Sequence, residues 1–226
     1  MLQNIYLQYR GATMMLFTRE DQEVAFRGTA FLIHPSGYLL TAAHAITGMT
    51  DLMVVPMNEN TGFIPVREET VAPIAVQIRQ VDRWRDLALL KFGQKIEVTM
   101  PDHVMGSPET VLPGSAVACI GYPFGYYRIY TQVIKQAIIA GKILSKTETG
   151  IFLFDTLVHD GSTGAPLINL SDGRIIGVVG GRFNPPDLMS EHARQKVETP
   201  IKTDTSYAVS IDHAIGLMEK EGLSLV

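Results

Sequence analysis

Short apolar runs, most of them four to eight residues long, recur along this chain and are separated by turns rich in glycine and proline. The run 30–33 is followed by His-Pro-Ser-Gly at 34–37 and a second run at 38–40, which predicts two strands joined by a turn. Five later runs have the same character, at 87–92, 116–120, 151–154, 166–169 and 175–179. Many short strands of this kind predict an antiparallel sandwich or barrel.

Helical spacing of apolar residues is clear only near the C-terminus, at Ile211, Ala214, Ile215 and Met218. Asp212 is placed to cap the start of such a helix and Gly222 to end it. We therefore predict a helix over 211–222 whose apolar side packs on the preceding barrel.

The longest polar stretch runs from 182 to 204 and contains Asn-Pro-Pro at 184–186. Loops of this length in compact domains are usually functional or disordered. Our hypothesis for this stretch is that it borders a binding pocket and gates it.

Composition bounds the function classes. The chain has 226 residues, of which 46% are hydrophobic, and a formal net charge of −4. This mild acidity and the lack of a basic block give nucleic acid no electrostatic footprint. Cys119 is the only cysteine, so no intramolecular disulfide and no multi-cysteine zinc site is possible. No apolar run reaches the roughly 18 residues of a membrane span, and no signal peptide is visible, so we expect a cytoplasmic location by default.

Three local patterns have the residue types that chemistry needs. His44 lies in Thr-Ala-Ala-His-Ala at 41–45, where small neighbours allow an imidazole to stay accessible. Asp86 precedes an apolar strand, where a partly desolvated carboxylate can orient and stabilise an imidazolium. The segment 160–167 places glycines around Thr163, so a tight turn there can point backbone N–H groups at an oxyanion. Each pattern alone is more often an ordinary packed, surface or turn feature.

In this order the patterns resemble trypsin-like peptidases, and specifically the HtrA-type bacterial branch, from about Gly28 to Gly222. The segments that carry the resemblance are 28–33, 37–44, 86–91, 114–125, 155–167 and 207–211. The resemblance implies an all-β fold of two six-stranded antiparallel β-barrels with a C-terminal α-helix. It covers a protease domain only, and the PDZ domain common in that branch is not expected in this sequence.

The same resemblance implies a domain plan and a set of site residues. One trypsin-like domain is expected over 1–226, with a first barrel over about 1–110, a second over about 111–210 and the helix over 211–222. His44 would be the general base, Asp86 its partner and Thr163 the residue in the nucleophile position. The remaining implied site residues are the oxyanion donors Gly161 and Thr163 and the substrate-binding residues Val158, His159, Gly180, Gly181 and Phe183.

The role of His159 and the identity of the nucleophile each have an alternative, and Leu157 suggests which substrate residue is preferred before the cut. His159 could contact a polar or acidic substrate side chain, or be a packed loop histidine. Leu157 stands where enzymes that cleave after basic residues carry an acid, so we expect a small or medium apolar residue before the cut. Ser162, one residue before Thr163, is an alternative nucleophile, although it would point to the opposite side of the turn.

Threonine at position 163 is the departure from the family, which has serine there. Its hydroxyl can be activated by His44, but its extra methyl group restricts χ1 in a crowded cleft. The sequence is therefore compatible with a slow peptidase, a site adapted to threonine or an inactive one.

The leading hypothesis is an endopeptidase that acts through an acyl-enzyme, with no metal and no cofactor. The alternatives are a catalytically silent peptide-binding module and, more weakly, an esterase-like or self-processing role. The expected partner is a peptide or protein substrate, with no nucleic acid and no membrane span, and a homo-oligomer stays open.

Overall fold

Short apolar strands, several of them buried along nearly their whole length, build two barrels. The structure is a computed structural model that describes residues 1–20, 23–57, 62–63, 73–96, 98–101, 103–185 and 203–224. Within these residues twelve strands close into two six-stranded barrels in which all strand pairs are antiparallel. The predicted fold class is confirmed.

The first barrel has the strand order β1-β2-β3-β6-β5-β4 and closes by pairing β1 with β4. Its strands are β1 Thr13–Glu20, β2 Glu23–His34, β3 Tyr38–Ala42, β4 Leu52–Pro56, β5 Ile74–Asp82 and β6 Leu87–Phe92. Leu39 pairs with Leu90, and both side chains are fully buried in the barrel core. Because β3 and β6 pair along their whole length, the residues that flank their ends, His44 and Asp86, are brought side by side.

The second barrel has the order β7-β8-β9-β12-β11-β10 and closes by pairing β10 with β7. Its strands are β7 Ala116–Gly121, β8 Val133–Leu144, β9 Gly150–Phe154, β10 Pro166–Asn169, β11 Ile175–Arg182 and β12 Ser206–Ser210. Phe152, Phe154 and Leu167 fill its core. Thr163 lies in the connection just before β10.

A third apolar cluster joins the barrels. Phe31 and Leu40 of the first barrel and Ile168 and Val178 of the second belong to one core cluster, and each is at most 1% exposed. This shared core fixes the two barrels against each other, so the cleft at their junction has walls from both.

The N-terminal helix α1, Leu2–Tyr9, is an element that the sequence analysis missed. Only Ile5 and Tyr9 of this helix are buried, one helical turn apart, and the Tyr9 hydroxyl donates to the Gly173 carbonyl at 2.6 Å. Two apolar positions are too short a pattern to identify a helix from sequence alone. The burial of the Tyr9 ring also raises the pKa of its hydroxyl to about 12.

The C-terminal segment begins as a 3₁₀ turn, Ile211–Ala214, and continues as the helix α2, Ile215–Lys220. The predicted cap at Asp212 is wrong, because Asp212 lies inside the 3₁₀ turn and its carboxylate accepts only from the N–H of His213. Gly222 follows α2 with φ 69°. Neither helix in the described part of the chain is long and apolar enough to cross a membrane.

Glu221, just after α2, ties this end of the chain to the first barrel. Its carboxylate accepts hydrogen bonds from Arg79 at 2.8 Å, from Gln80 at 2.6 Å and from the Tyr38 hydroxyl at 3.2 Å.

Residues 186–202, most of the polar stretch expected to gate the pocket, lie outside the described residues, so that role stays a prediction.

Candidate active site

His44 and Asp86 form a tightly bonded pair at the edge of the first barrel. His44 lies in the 3₁₀ turn Ala43–Ile46 that directly follows β3, and Asp86 is the last residue before β6. The His44 Nδ1 and Asp86 Oδ2 atoms are 2.6 Å apart, and the backbone N–H of His44 donates to Asp86 Oδ1 at 2.8 Å. Both carboxylate oxygens are therefore used to hold one residue.

The backbone around Asp86 is adapted to this contact. Asp86 has φ 56°, a left-handed conformation that is uncommon for residues other than glycine. Its own carbonyl accepts the N–H of Ala43 at 3.1 Å. Strained conformations of this kind persist where surrounding contacts determine them, and here three bonds between Asp86 and 43–44 do so.

The electrostatics of His44 suit a general base held by a carboxylate. The hydrogen bond to Asp86 raises the pKa of His44, burial opposes that rise, and the charge of Asp86 adds to it. With Nδ1 directed at the carboxylate, the proton of the neutral ring belongs on Nδ1. Nε2 is then the free acceptor, and the side chain is 53% exposed, so this nitrogen is accessible.

Thr163 lies at the end of a tight turn on the second barrel. A 3₁₀ turn, Asp160–Ser162, precedes it, and Thr163 is 7% exposed. Its hydroxyl donates to the Gly180 carbonyl at 3.4 Å, which is long for an O–H···O bond. Among the hydrogen bonds of the described residues there is none between Thr163 and His44. The hydroxyl is thus directed at β11 and is not engaged with the imidazole.

The oxyanion donors predicted at Gly161 and Thr163 are not both available in this structure. The N–H of Thr163 donates to the Asp160 carbonyl at 3.1 Å, so the turn satisfies this donor internally. Gly161 is buried, and its carbonyl accepts from the Thr29 hydroxyl at 2.8 Å. A Cβ at position 161 would lie 2.1 Å from the Tyr122 carbonyl, which explains why this position requires glycine.

One cleft of about 670 Å³ contains His44 and Thr163 together with Gly180 and Gly181. The structure therefore brings residues from distant parts of the chain to one site. The sequence analysis missed further residues that line it: Arg27, Ala45, Met49, Tyr126, Asp160, Arg182 and Tyr207. Several of them adjoin predicted site residues along the chain, such as Ala45 beside His44 and Arg182 beside Gly181, and those positions could have signalled proximity.

Comparison with known proteins identifies the family. The sequence model described as the trypsin-like peptidase domain matches residues 28–178, about two thirds of the chain. The chain belongs to the trypsin-like peptidase family. The resemblance predicted from the sequence is thus confirmed, and the matched region contains His44, Asp86 and Thr163.

Curated relatives of this trypsin-like peptidase are HtrA- and DegP-type proteases. Serine protease HTRA1 of Xenopus tropicalis is 30% identical over 168 residues, which are 73% of this chain and 33% of that protein. A probable periplasmic DegP-like serine endoprotease of Marinomonas sp. is 35% identical over 152 residues, 67% of this chain and 29% of that protein. The chain spans about a third of the length of these relatives.

Solved structures show the same fold. The HtrA-type protease AlgW with a tripeptide has a TM-score of 0.72 at 20% identity and covers 97% of this chain and 63% of its own. A protease from M. tuberculosis in its active form has a TM-score of 0.71 at 20% identity, covering 97% of this chain and 85% of its own.

Other predicted site residues of this trypsin-like peptidase lie outside the cleft. Val158 is 2% exposed and packs in the core of the second barrel, with its N–H bonded to Ser206 Oγ at 3.0 Å. Phe183 lines a neighbouring groove with Trp84, and its backbone N–H donates to the Thr205 carbonyl at 2.9 Å. The structure does not bring Val158 or Phe183 to the cleft that contains His44 and Thr163.

His159 and Ser162 also lie apart from the cleft surface. His159 is exposed, and its ring lies 5.3 Å from the ring of Phe124. Ser162 is 5% exposed and its Cα lies against Gly121. Of the two hydroxyl residues in the turn, Thr163 lines the cleft and Ser162 does not.

Gly180 and Gly181 form an irregular strand end beside Thr163. The pairing of β11 with β12 shifts register between Val179 and Gly181, which makes Gly180 an extra residue in the strand. A Cβ at 180 would lie 2.2 Å from the Tyr207 ring. β10 pairs with β11 only up to Val178, so among the described residues no strand pairs with 180–182 on that side.

In the part of the chain that the structure describes, no group of three or more His, Cys, Asp or Glu side chains is arranged to hold a metal ion. The buried thiol of Cys119, whose pKa burial raises to about 11, lies in β7 and faces the barrel core.

Proposed function

We propose that this chain hydrolyses peptide bonds as an endopeptidase, with Thr163 as the nucleophile and His44 as the general base. The observation that carries the proposal is the His44–Asp86 pair, bonded at 2.6 Å and opening into the same cleft as Thr163. A histidine whose Nδ1 is fixed by a carboxylate and whose Nε2 is free next to a hydroxyl is the arrangement that activates an alcohol.

The reaction would proceed in two stages. Thr163 Oγ1 attacks the carbonyl carbon of the substrate while His44 Nε2 takes the hydroxyl proton, and a tetrahedral adduct forms. The C–N bond then breaks as Nε2 returns the proton to the leaving amine, which leaves an ester on Thr163. A water molecule attacks the ester with His44 again taking the proton, and the acid is released with Thr163 restored.

Two local rearrangements would precede catalysis. The Thr163 hydroxyl has to rotate from the Gly180 carbonyl towards His44, which costs little because the existing bond is long. The Asp160–Gly161 peptide has to turn so that the Asp160 carbonyl leaves the Thr163 N–H. The N–H groups of Gly161 and Thr163 would then both face the substrate oxygen.

The substrate class is an extended peptide. Over the ranges that the structure describes, no strand pairs with 180–182 of β11 towards the cleft, so a peptide backbone can add there as a further strand. Because Leu157 replaces the acid of enzymes that cleave after basic residues, we still expect a preference for a small or medium apolar residue before the cut. The proposal needs no cofactor.

A peptide-binding module without catalysis is the second candidate. The closed turn supports it, because the Thr163 N–H and hydroxyl are both bonded within the protein. The threonine methyl group adds to the same effect by restricting rotation about χ1. Such a module would keep the strand edge at 180–182 and bind peptides without cleaving them.

A fluorophosphonate probe together with a casein-type substrate tests the proposal. We expect labelling that maps to residue 163, persists in S162A and disappears in T163A and H44A, with cleavage following the same order. Calorimetric titration with an extended peptide measures binding independently of cleavage. Peptide binding with neither labelling nor cleavage would establish the binding module instead.

A further inference from the structure

Thr29, in β2 of the first barrel, donates two hydrogen bonds to the nucleophile turn of the second barrel. It is fully buried and was not among the predicted site residues. Its backbone N–H donates to the Thr163 carbonyl at 2.8 Å. Its hydroxyl donates to the Gly161 carbonyl, also at 2.8 Å. One residue therefore holds the carbonyls on both sides of Ser162.

The Thr29 hydroxyl is itself held in place. It accepts the backbone N–H of Tyr122 at 3.3 Å, and the Thr29 carbonyl accepts the Thr41 hydroxyl at 2.7 Å. A hydroxyl that accepts one bond and donates another has a fixed proton direction. The donor direction towards Gly161 follows from these contacts.

The backbones at this junction approach closely enough to exclude side chains. A Cβ at Gly28 would lie 2.8 Å from the Thr163 carbonyl oxygen, and one at Gly164 would lie 2.1 Å from the Thr29 carbonyl oxygen. Side chains flanking Thr29 and Thr163 are thus excluded by contact distance. The position of the turn relative to β2 is set by these contacts and by the Thr29 hydrogen bonds.

We propose that Thr29 is a positioning residue for the nucleophile turn and that its hydroxyl fixes the Gly161–Ser162 peptide plane, next to the oxyanion donor at Gly161. The inference rests on the proposed function for its catalytic consequence. The Gly161 carbonyl belongs to the peptide that follows the Gly161 N–H, and the Thr163 carbonyl to the peptide that follows the Thr163 N–H. The Ser162 carbonyl between them accepts the Ala165 N–H at 3.0 Å. With these three carbonyls held, the Asp160–Gly161 peptide is the part of the turn left to rotate.

The hydroxyl can be removed without changing the size of the side chain. T29V keeps the shape but leaves the Gly161 carbonyl and the Tyr122 N–H without their buried partner. T29S keeps the hydroxyl and loses only the methyl group. T18V is the matched control, because Thr18 is 1% exposed in the same barrel and its hydroxyl donates to the Asp51 carbonyl at 3.1 Å.

Two measurements on the full chain test the proposal. By hydrogen exchange, T29V should speed exchange of the amides in 160–164 by roughly tenfold, with little change in β4 and β5. In turnover, T29V should lower kcat by about 10- to 100-fold with KM nearly unchanged, because the donors act in the transition state. T29S should restore both quantities, and T18V should change neither.

The outcomes separate this proposal from the proposed function. Unchanged exchange at 160–164 in T29V, or an equal increase throughout the chain, would overturn the role of Thr29. So would faster exchange in 160–164 with an unchanged kcat, because the hydroxyl would then hold the turn without positioning it for catalysis. A wild-type chain that cleaves no peptide would end the proposed function, and exchange would still decide whether Thr29 holds the turn. Should T29V not fold, T29C, with its weaker hydrogen-bonding thiol, should give the same order of effects at smaller amplitude.

Discussion

The two barrels differ in whether their cleft residues already make the hydrogen bonds that catalysis would need. On the first barrel, the His44 ring and backbone both bind the Asp86 carboxylate, at 2.6 and 2.8 Å. On the second, the Thr163 N–H is bonded to Asp160 and its hydroxyl reaches Gly180 only at 3.4 Å. In terms of the proposed function, the His44–Asp86 pair is assembled, whereas Thr163 and the proposed oxyanion donors are not.

The difference has a structural origin. Asp86 and His44 flank the ends of paired strands, so the β3–β6 register brings them together. Thr163 follows a turn that contains a glycine, and glycine permits more than one peptide orientation. In the proposed mechanism, the rearrangement of the Thr163 turn on the second barrel should therefore limit activity, because the His44–Asp86 pair on the first barrel needs no rearrangement.

The largest effect should come from disrupting the His44–Asp86 pair, which is already formed. D86N should lower kcat/KM by about 10³–10⁴-fold. The Asn amide can donate to Nδ1, which places the imidazole proton on Nε2, where no proton can then be accepted. Cleavage of a fluorogenic peptide measures the loss. H159A, which changes an exposed histidine outside the cleft, is the control and should retain nearly full activity; an equal loss there would contradict the assignment of the base.

Repairing the unassembled half should give the next largest effect. T163S removes the methyl group that restricts χ1, so we expect a gain of about 10²-fold in kcat. The same peptide assay measures it, with S162A as a control that leaves the gain intact. No gain in T163S would mean that the closed turn and not the methyl group limits the site.

A smaller and more specific effect concerns pH. Because Asp86 raises the pKa of His44, the acidic limb of kcat/KM should have its midpoint above 6.5, and activity should rise with pH through it as the base becomes neutral. The folding contribution has the opposite sense: it is present below pH 6.5 and is lost as the pH rises through the pKa of the folded state. NMR titration of His44 measures the midpoint, which should fall in D86N; a wild-type midpoint at or below 6.5 would contradict the pairing.

The smallest effect on activity should come from a change that touches neither half. Gly222 has φ 69°, so G222A should lower the free energy of unfolding by about 1–2 kcal/mol while kcat stays unchanged. Urea denaturation measures the stability. G216A is the control, since Gly216 lies in α2 with no atom within 4 Å of an added Cβ, and there we expect no destabilisation. A fall in kcat with G222A would show that global stability limits turnover.

The sequence predicted the two barrels well, because their strands are short apolar runs bounded by glycine and proline. It also predicted that His44 and Thr163 share a cleft, through a resemblance that covered most of the chain. It missed α1, in which only Ile5 and Tyr9 are buried. The predicted cap at Asp212 was wrong by a few residues, since a 3₁₀ turn precedes α2.

The state of the nucleophile turn was beyond sequence reasoning. Whether the Thr163 N–H faces the cleft or the Asp160 carbonyl depends on one peptide orientation, and the same residues fit both. Thr29 was missed because its contacts with Gly161 and Thr163 join residues more than a hundred positions apart. Val158 was expected at the pocket wall, but its side chain packs in the barrel core.

The carboxylate of Glu221 has a consequence for the integrity of the molecule. It follows the second barrel in sequence, yet all three of its partners, Tyr38, Arg79 and Gln80, belong to the first. Together with the shared apolar core, these hydrogen bonds hold the C-terminal end of the chain on the first barrel without a covalent link. A single proteolytic nick in the crossover 93–115 should therefore leave two fragments that migrate as one particle until denaturant is added.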